Sequence, residues 1–562
     1  GTAYMITTNT DAEVELMKAY MQNLYLVWWN ASYDLGTLMF KATPKTDDLW
    51  VAFKIAYPSV QTFTLDNCVE YLGYNDLYAG LDKKGLQKAG FVRNAYLSQQ
   101  QLRYAAADVE ALERMWNLPK IQKVRENNLA YRLAIYAIEE TMVFQQNGLP
   151  IKQNVVEDYI VTTTDKLTAI TKEVDALCGK GLNPRSPKQV KELLGTDSSD
   201  KATLTRIALE GSLDAQKSAT KRNSARTGGE FTAIQQEQAE VILVARKLKN
   251  DLSKLAKYNH PKLYGRFSPV GAGTSRYSCK GSKEVPEYDN LQNTSRDFKS
   301  CFGLPDDSDM IIVAADFATL EIRIACAIMN EPNMYKALKE GVDIHRSTGS
   351  LIFNKPPEEI TGRERSNSKV CNFGLTYAMG VDTFIQYAYD MYGIKYTRAG
   401  AKELVDKFFK AYPGLKAYHI KVGAALRKRN YICQTALGYK MKPKMYAEAI
   451  NGPTQGTGSE IMRLAIHLLV KKDVKALKYI VNTVHDAAYL IVPEVDKLYW
   501  GKQLKEAMLE AWAEIMKSAE FHYHDIPMNI DVMYGKHMGD LEDDFAGGGS
   551  ALSIQEQKEL KK

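Results

Sequence analysis

Twice in this chain an apolar run with the pattern of a β-strand ends on a carboxylate. IIVAA at 311–315 leads into Asp316, and VNTVH at 481–485 leads into Asp486, with AAYLIV after it. A carboxylate at the end of an apolar strand is costly to desolvate unless a cation or hydrogen bonds meet it. A fold that accepts two of them is pressed to bring both strand ends to one positive charge. Two aspartates bridging a pair of Mg2+ ions is the arrangement that phosphoryl or nucleotidyl transfer uses. Taken singly, each Asp reads as an ordinary strand-end or turn residue, so the surrounding motifs decide.

The same stretch argues against a membrane span and a membrane partner. IIVAADFATLEIRIACAIM (311–329) is the most hydrophobic part of the chain, yet Asp316, Glu321 and Arg323 interrupt it, short of the roughly 18 apolar residues a spanning helix needs. The chain has 562 residues, 45% of them hydrophobic and 25% charged, which is ordinary for globular proteins and enough for about three to five domains. A formal net charge of +6 marks no global nucleic-acid coat, so any DNA contact needs local positive charge. Cysteines at 68, 178, 279, 301, 326, 371 and 433 are odd in number, dispersed and never in C-x-x-C, which speaks against a disulfide framework or zinc knuckle and for a reducing, cytoplasmic setting.

Residues 1–125 alternate strand-like segments (YMITT, LYLVWWN) with helical ones (DAEVELMKAYMQ, and Gln99 to Trp116), an α/β pattern. Residues 126–265 read as long polar-rich helices broken by SLDAQKSATKRNSARTGG, a mobile tip. Positions 180–226 hold ten Lys/Arg against five Asp/Glu, a net of +5, so this projection suits phosphate contact; a solvated helical face is the plain alternative. From 266 onward, short β-like runs (311–316, 479–484, 487–492, 528–533) alternate with long helices, an α+β pattern. GDLEDDF, AGGGS and a short amphipathic stretch at 541–562 read as linker and tail.

Arg365, Lys369, Phe373 and Tyr377 recur every four residues. On a helix they form one stripe, two cations followed by two aromatics, which suits a nucleoside triphosphate lying along it. Together with this stripe, DFATLEIR (316–323), RERSNSKVCNFGLTYAMG (363–380) and TVHDA (483–487) resemble motifs A, B and C of family A DNA polymerases, the group of bacterial DNA polymerase I (Klenow-like) and its phage relatives. TSRYSC (274–279), NLQN (290–293), DIH (343–345), YPG (412–414) and NGPTQGTGSEI (451–461) follow in the same order. The resemblance spans roughly residues 1–537, and the wording WWNASYDLGTL points to a phage-type replicative member in the host cytoplasm.

The resemblance implies a multidomain α+β/α/β fold: an RNase H-like 3′–5′ exonuclease domain, N-terminally incomplete, over 1–125, thumb and lead-in helices over 126–265, palm over 266–330 and 430–540, and fingers over 331–429. It implies a polymerase that adds dNTPs to the primer 3′-hydroxyl on primer-template DNA with two Mg2+ ions, with replication accessory proteins as further partners. Asp316, Asp486 and the Phe317 carbonyl would be the metal ligands. Arg365, Lys369 and His345 would contact the triphosphate, with Lys369 also catalytic by stabilising charge during transfer. Phe373 would pack on the ribose, disfavouring dideoxynucleotides, and Tyr377 would lie near the templating base. Glu321 would occupy the space of a 2′-hydroxyl and so select DNA over RNA precursors. Arg276, Asn451, Gln455 and His485 would read the minor groove at the primer terminus, where acceptors sit at similar places in every base pair.

Departures from the family pattern are visible too. Ala487 stands where motif C commonly has Glu, Phe317 where motif A commonly has Tyr, and Ala447 at a usually basic position, with Lys444 nearby. HYHD at 522–525 has metal-ligand residue types and reads as a surface loop. In the exonuclease-like part, Asp34 within WNASYDLGTLMF and Tyr104 with Asp108 in YAAAD resemble the second and third exonuclease motifs. The first, Asp-x-Glu on an opening strand, is matched only by Asp11-Ala12-Glu13, which reads as a helix cap; the true motif is expected upstream of Gly1. Proofreading should therefore be weak or absent. A chain that is chiefly an exonuclease, a non-catalytic DNA scaffold and a single-subunit RNA polymerase are the competing readings; the intact motifs oppose the first two and Glu321 the third.

Overall fold

The computed structural model describes residues 10–39, 45–89, 97–213, 229–394, 396–428 and 431–541. The expected YMITT strand, the centre of the basic tip and the tail beyond 541 lie outside these residues.

The first helix, α1 (Asp11–Met21), is closed by a capping box: Thr10 accepts the Glu13 N–H, and the Glu13 carboxylate accepts the Thr10 N–H. Asp11-Ala12-Glu13 is thus a helix start, as its sequence context predicts. Strand β1 (Leu26–Trp28) pairs in parallel with β2 (Thr46–Asp48), three residues each. Helices α2 (Ala31–Leu38), α3 (Leu49–Ala56), α4 (Gln99–Trp116) and α5 (Leu129–Phe144) surround this pair. Their apolar faces bury Leu35, Ala52, Phe53, Ala111 and Ile138, and the same cluster takes in Val270, Cys433, Tyr439 and Met441 from much later in the sequence. The N-terminal region therefore shares its core with the later chain.

Two long helices follow, α6 (Gln153–Cys178) and α7 (Ala233–Leu255). Ile170 and Val174 on one meet Val241 and Ala245 on the other, each pair four residues apart and so on one helix face. Ala239 and Ile242 of α7 also join a smaller cluster with Val190, Leu194, Leu204 and Ile207.

The C-terminal half is built on an antiparallel sheet of β3 (Met310–Phe317), β4 (Ile480–Val484), β5 (Ala487–Pro493) and β6 (Ile530–Gly535), in the spatial order β4-β5-β3-β6. Strand β3 is central and its residues Ile311–Ala315 are all buried, which is why it reads as a continuous apolar run rather than an alternating one. Helix α8 (Leu320–Met329) leaves β3 after a two-residue break. Helices α9 (Ile344–Phe353) and α10 (Gly362–Leu375) pack on each other beyond it. Helix α11 (Tyr446–Lys472) lies along α8 and α12 (Lys497–Ser518), and α12 also packs against β3 and β6. Among the described residues no helix is long and apolar enough to cross a membrane.

Candidate active site

Strands β4 and β5 are joined by only two residues, His485 and Asp486, with Val484 opposite Ala487. So tight a hairpin needs a positive φ in the turn, and His485 supplies it at φ 55. The turn is fastened to the centre of the sheet because the Phe317 N–H donates to the Asp486 carbonyl at 3.3 Å and Ala487 lies directly opposite Asp316. Asp316 and Asp486 are thereby forced together. Burial, then the neighbouring Asp486 carboxyl, pushes the Asp316 pKa up, and burial raises Asp486 as well. Two adjacent desolvated carboxylates cannot both ionise cheaply without a cation. The Asp316 Oδ1 is fully enclosed and accepts no hydrogen bond.

A cavity of about 550 Å3 opens over this pair. Asp316, Phe317, His485 and Asp486 line it, together with Arg276, Glu321, Gln455, His345 and Phe373. The Arg276 guanidinium is ion-paired to Glu321. Its loop is held from beneath by Arg463, wholly buried, which donates to the Pro269 carbonyl at 2.9 Å, the Ser275 carbonyl at 2.5 Å and the Ser459 hydroxyl at 2.8 Å. Gly456 lets α11 approach this loop, since a Cβ there would stand 2.9 Å from the Thr274 carbonyl. Asn451 and Gln455 share the α11 face on that side, although Asn451 itself does not line the cavity. Its Oδ1 is buried without a partner.

The cationic end of the stripe behaves as a second station. Arg365 donates through Nη2 and Nε to one Asp343 oxygen, at 2.7 and 3.2 Å. Asp343 also caps α9 by accepting the His345 and Arg346 N–H groups at 2.9 Å. Burial lowers the His345 pKa to about 4, with the nearby Arg365 and Lys369 charges adding to the effect, so this imidazole is neutral at pH 7 and its Nδ1 meets the Asn372 amide at 2.9 Å. Phe373 lies beside it, ring centroids 5.6 Å apart. Lys369 is 7% exposed. Tyr377 is further on, with its hydroxyl buried and unpartnered; burial raises its pKa and its partner charge is Arg276.

Four of the eight described non-glycine residues with positive φ lie here. Ser275, Thr319, Ala378 and His485 all have φ between 54° and 63°, a conformation non-glycine residues rarely adopt and one that clusters at functional sites. They immediately flank Arg276, the turn after Phe317, Tyr377 and Asp486.

A model of DNA polymerase family A matches residues 153–540, which include every one of these groups. The chain belongs to DNA polymerase family A. It is 29% identical over 470 residues to DNA polymerase I of Aquifex aeolicus (strain VF5), covering 77% of this chain and 75% of that protein. It is 26% identical over 414 residues to DNA polymerase I of Geobacillus stearothermophilus, covering 69% and 43%, so it spans under half of that relative's length. The polymerase domain of Pol1 from M. smegmatis, solved with DNA primer-template and dNTP, superposes with a TM-score of 0.71 at 18% identity, over 95% of this chain and 89% of that one.

As a family A chain it carries an N-terminal region whose residues do not gather in the same way. Tyr104 and Asp108 sit on one face of α4, and Asp108 accepts from the Tyr78 hydroxyl at 2.6 Å, while Gln87 donates to the Tyr104 hydroxyl at 3.1 Å. Asp34 stands on α2 with other company: burial, then the charge of Asp48, raises its pKa to about 6. Among the described residues of this region the only paired strands are β1 and β2. His524 in HYHD meets the Met516 carbonyl at 2.6 Å through Nδ1, and Asp525 pairs with Lys339 at 2.6 Å, as a surface loop would.

Sequence reasoning assigns no role to three further features of the structure. Asp343 is visible in DIH, and its place two residues before the histidine is the signal of a helix cap that can also reach Arg365. Arg463 is a lone Arg among apolar residues on α11. A further cavity of about 900 Å3 is lined by Lys54, Lys440, Lys442 and Lys444, with Trp50, Phe63 and Tyr439; the alternating Lys of YKMKPK is its signal.

Proposed function

We propose that this chain is a template-directed DNA polymerase that joins dNTPs to a primer 3′-hydroxyl and releases pyrophosphate. The β3–β6 sheet with α11 and α12 serves as palm, residues 331–429 as fingers and α6 with α7 as the thumb. The observation that carries this is the meeting of Asp316 and Asp486 under a cavity walled by Arg276, Glu321, His345 and Phe373.

The donor set suits Mg2+. Among the described residues no group of three or more His, Cys, Asp or Glu could hold an ion alone, and Mg2+ is typically held by one or two carboxylates with substrate phosphates and water completing the shell. Asp316, Asp486 and the Phe317 carbonyl would hold it, and when bound it supplies activation of the primer hydroxyl and charge neutralisation at the phosphates. The chain's own residues do the rest. Arg365 exchanges Asp343 for a phosphate oxygen, and Lys369 faces the triphosphate from the same helix stripe. Neutral His345 offers a hydrogen bond rather than charge. Phe373 packs on the sugar, and Tyr377 stands where the templating base would arrive. Arg276 leaves Glu321 for the minor groove, with Gln455, Asn451 and His485 alongside, and Glu321 excludes a 2′-hydroxyl. The Lys-lined second cavity suits the DNA backbone, as clustered cations and aromatics do. The likeness to the M. smegmatis polymerase domain, itself solved with primer-template and dNTP, supports the same reading.

The exonuclease-like region is vestigial on this reading, because Asp34 and Asp108 keep different neighbours. Dispersed thiols support a reducing compartment, and a phage-type replicative role rests on the WWNASYDLGTL wording.

Primer extension with dNTPs or rNTPs tests the proposal. Wild type should extend with dNTPs only, Asp486→Ala should not extend, and Glu321→Ala should admit rNTPs. Absence of extension by wild type on a primed template would sink it.

A further inference from the structure

Asp316 has two cross-strand neighbours. On one side, in β5, Ala487 stands directly opposite it; on the other, in β6, Asp531 does. Residues directly opposite in an antiparallel pair point to the same face with Cβ atoms about 4.5–5.5 Å apart. The sheet therefore sets a methyl group on one flank of Asp316 and a carboxylate on the other. Asp531 is exposed, and among the described residues it has no cationic partner. Like charges directly opposite one another destabilise a sheet. An acid in this position works against the metal-free fold, and a cation at Asp316 would turn the repulsion into attraction.

We propose that Asp531 is the third carboxylate of the metal centre, acting from the outer strand on the cations that Asp316 and Asp486 hold, on the flank of Asp316 opposite Ala487. It is a positioning residue and not a direct ligand, since Asp316, Asp486 and Asp531 do not close into a three-acid cage. Exposed beside Asp316 but outside the cavity lining, it suits a carboxylate that accepts from metal-bound water and raises the local cation concentration. The inference rests on the metal-dependent reading above. The plain alternative is that β6 is an edge strand, and charge on an edge discourages pairing with other chains. That role would leave metal affinity untouched.

Mn2+ titration of the full chain, read by the loss of the free-ion EPR signal, separates these. Asp531→Asn should weaken Mn2+ binding about tenfold, the order seen when outer-shell partners of metal sites are removed, while Asp531→Glu stays near wild type. Unchanged affinity in Asp531→Asn overturns the proposal, as does an equal loss in Asp531→Glu, because charge would then not be what matters. A wild type that binds no more Mn2+ than Asp486→Asn would instead overturn the metal-dependent reading itself. Melting curves in EDTA check the fold: Asp531→Asn should melt no lower than wild type, since it relieves a repulsion.

Discussion

Asp316 and Asp486 are 170 residues apart in sequence and side by side in the fold, whereas Asp34 and Asp108, 74 apart, keep separate company. The residue types are alike; the backbone beneath them is not. In the C-terminal half an eight-residue central strand is laddered on both sides, so register dictates which side chains meet. In the N-terminal region the described strands are three residues long, and the two aspartates ride on separate helices, α2 and α4. Convergence of like charges has to be enforced by a rigid frame. Where the frame is absent, each carboxylate settles with a local partner, as Asp108 does with Tyr78.

This contrast can be broken most directly by isosteric removal of charge. Asp486→Asn should lower primer extension about a thousandfold or more, the scale of losing a group that acts on the reacting atoms. In the same preparations Asp108→Ala should leave digestion of a single-stranded 3′ end at its background; strong digestion by wild type that Asp108→Ala abolishes would erase the distinction between the two regions. Next in size, Lys369→Ala should cost about a hundredfold in kcat/KM for dNTP, as removal of one preorganised stabilising group does, and a change confined to template binding would move that residue out of the triphosphate site.

A smaller effect follows from the shared carboxylates. Their folded-state pKa values lie above the unfolded ones, so the metal-free fold keeps a proton that the unfolded chain gives up above about pH 4. Stability from this pair is present at low pH and lost as pH rises through the raised values. Mg2+ bound at these carboxylates would displace that proton, so stabilisation by Mg2+ should grow with pH. Thermal melts with Mg2+ and with EDTA at about pH 6 and about pH 8.5 measure this, and an equal shift at both, or one that persists in Asp486→Asn, would deny the coupling.

The smallest effect tests the seam between the regions. Burial lowers the Lys54 pKa to about 7, so the fold prefers the neutral amine while the unfolded chain stays protonated up to about pH 10.4. Lys54 should therefore oppose folding below about pH 7, with that penalty relieved between about pH 7 and 10. Lys54→Met should flatten this rise in melting temperature; a profile identical to wild type would show that the ammonium is better solvated than its burial implies.

Much of this is legible in the sequence. The apolar run broken at Asp316 announces a central buried strand, the four-residue spacing from Arg365 to Tyr377 announces a helix stripe, and the Thr10–Glu13 pattern announces a cap rather than a metal motif. The contents of the cavity can be anticipated because ordered motifs carry their own spacing. Cross-strand register cannot. Nothing near DVMYG says that Asp531 will lie opposite Asp316, because strand pairing is a relation between distant segments. For the same reason the Arg463 clamp stays hidden, its partners Pro269 and Ser275 being supplied by folding. In the first region the expected RNase H-like sheet rests on resemblance alone, and short strands carry too little periodicity to test it.

The Lys54 Nζ donates to the Val270 carbonyl at 2.9 Å and lies 3.9 Å over the Trp50 ring. Val270 begins the loop that, six residues on, carries Arg276. That joint means the first region cannot be trimmed away as spare cargo. Cutting it would uncover Val270, Tyr439 and Met441 and loosen the loop that carries Arg276. Whatever else such a region does, it also serves as foundation, and its inheritance is tied to the needs of its neighbour.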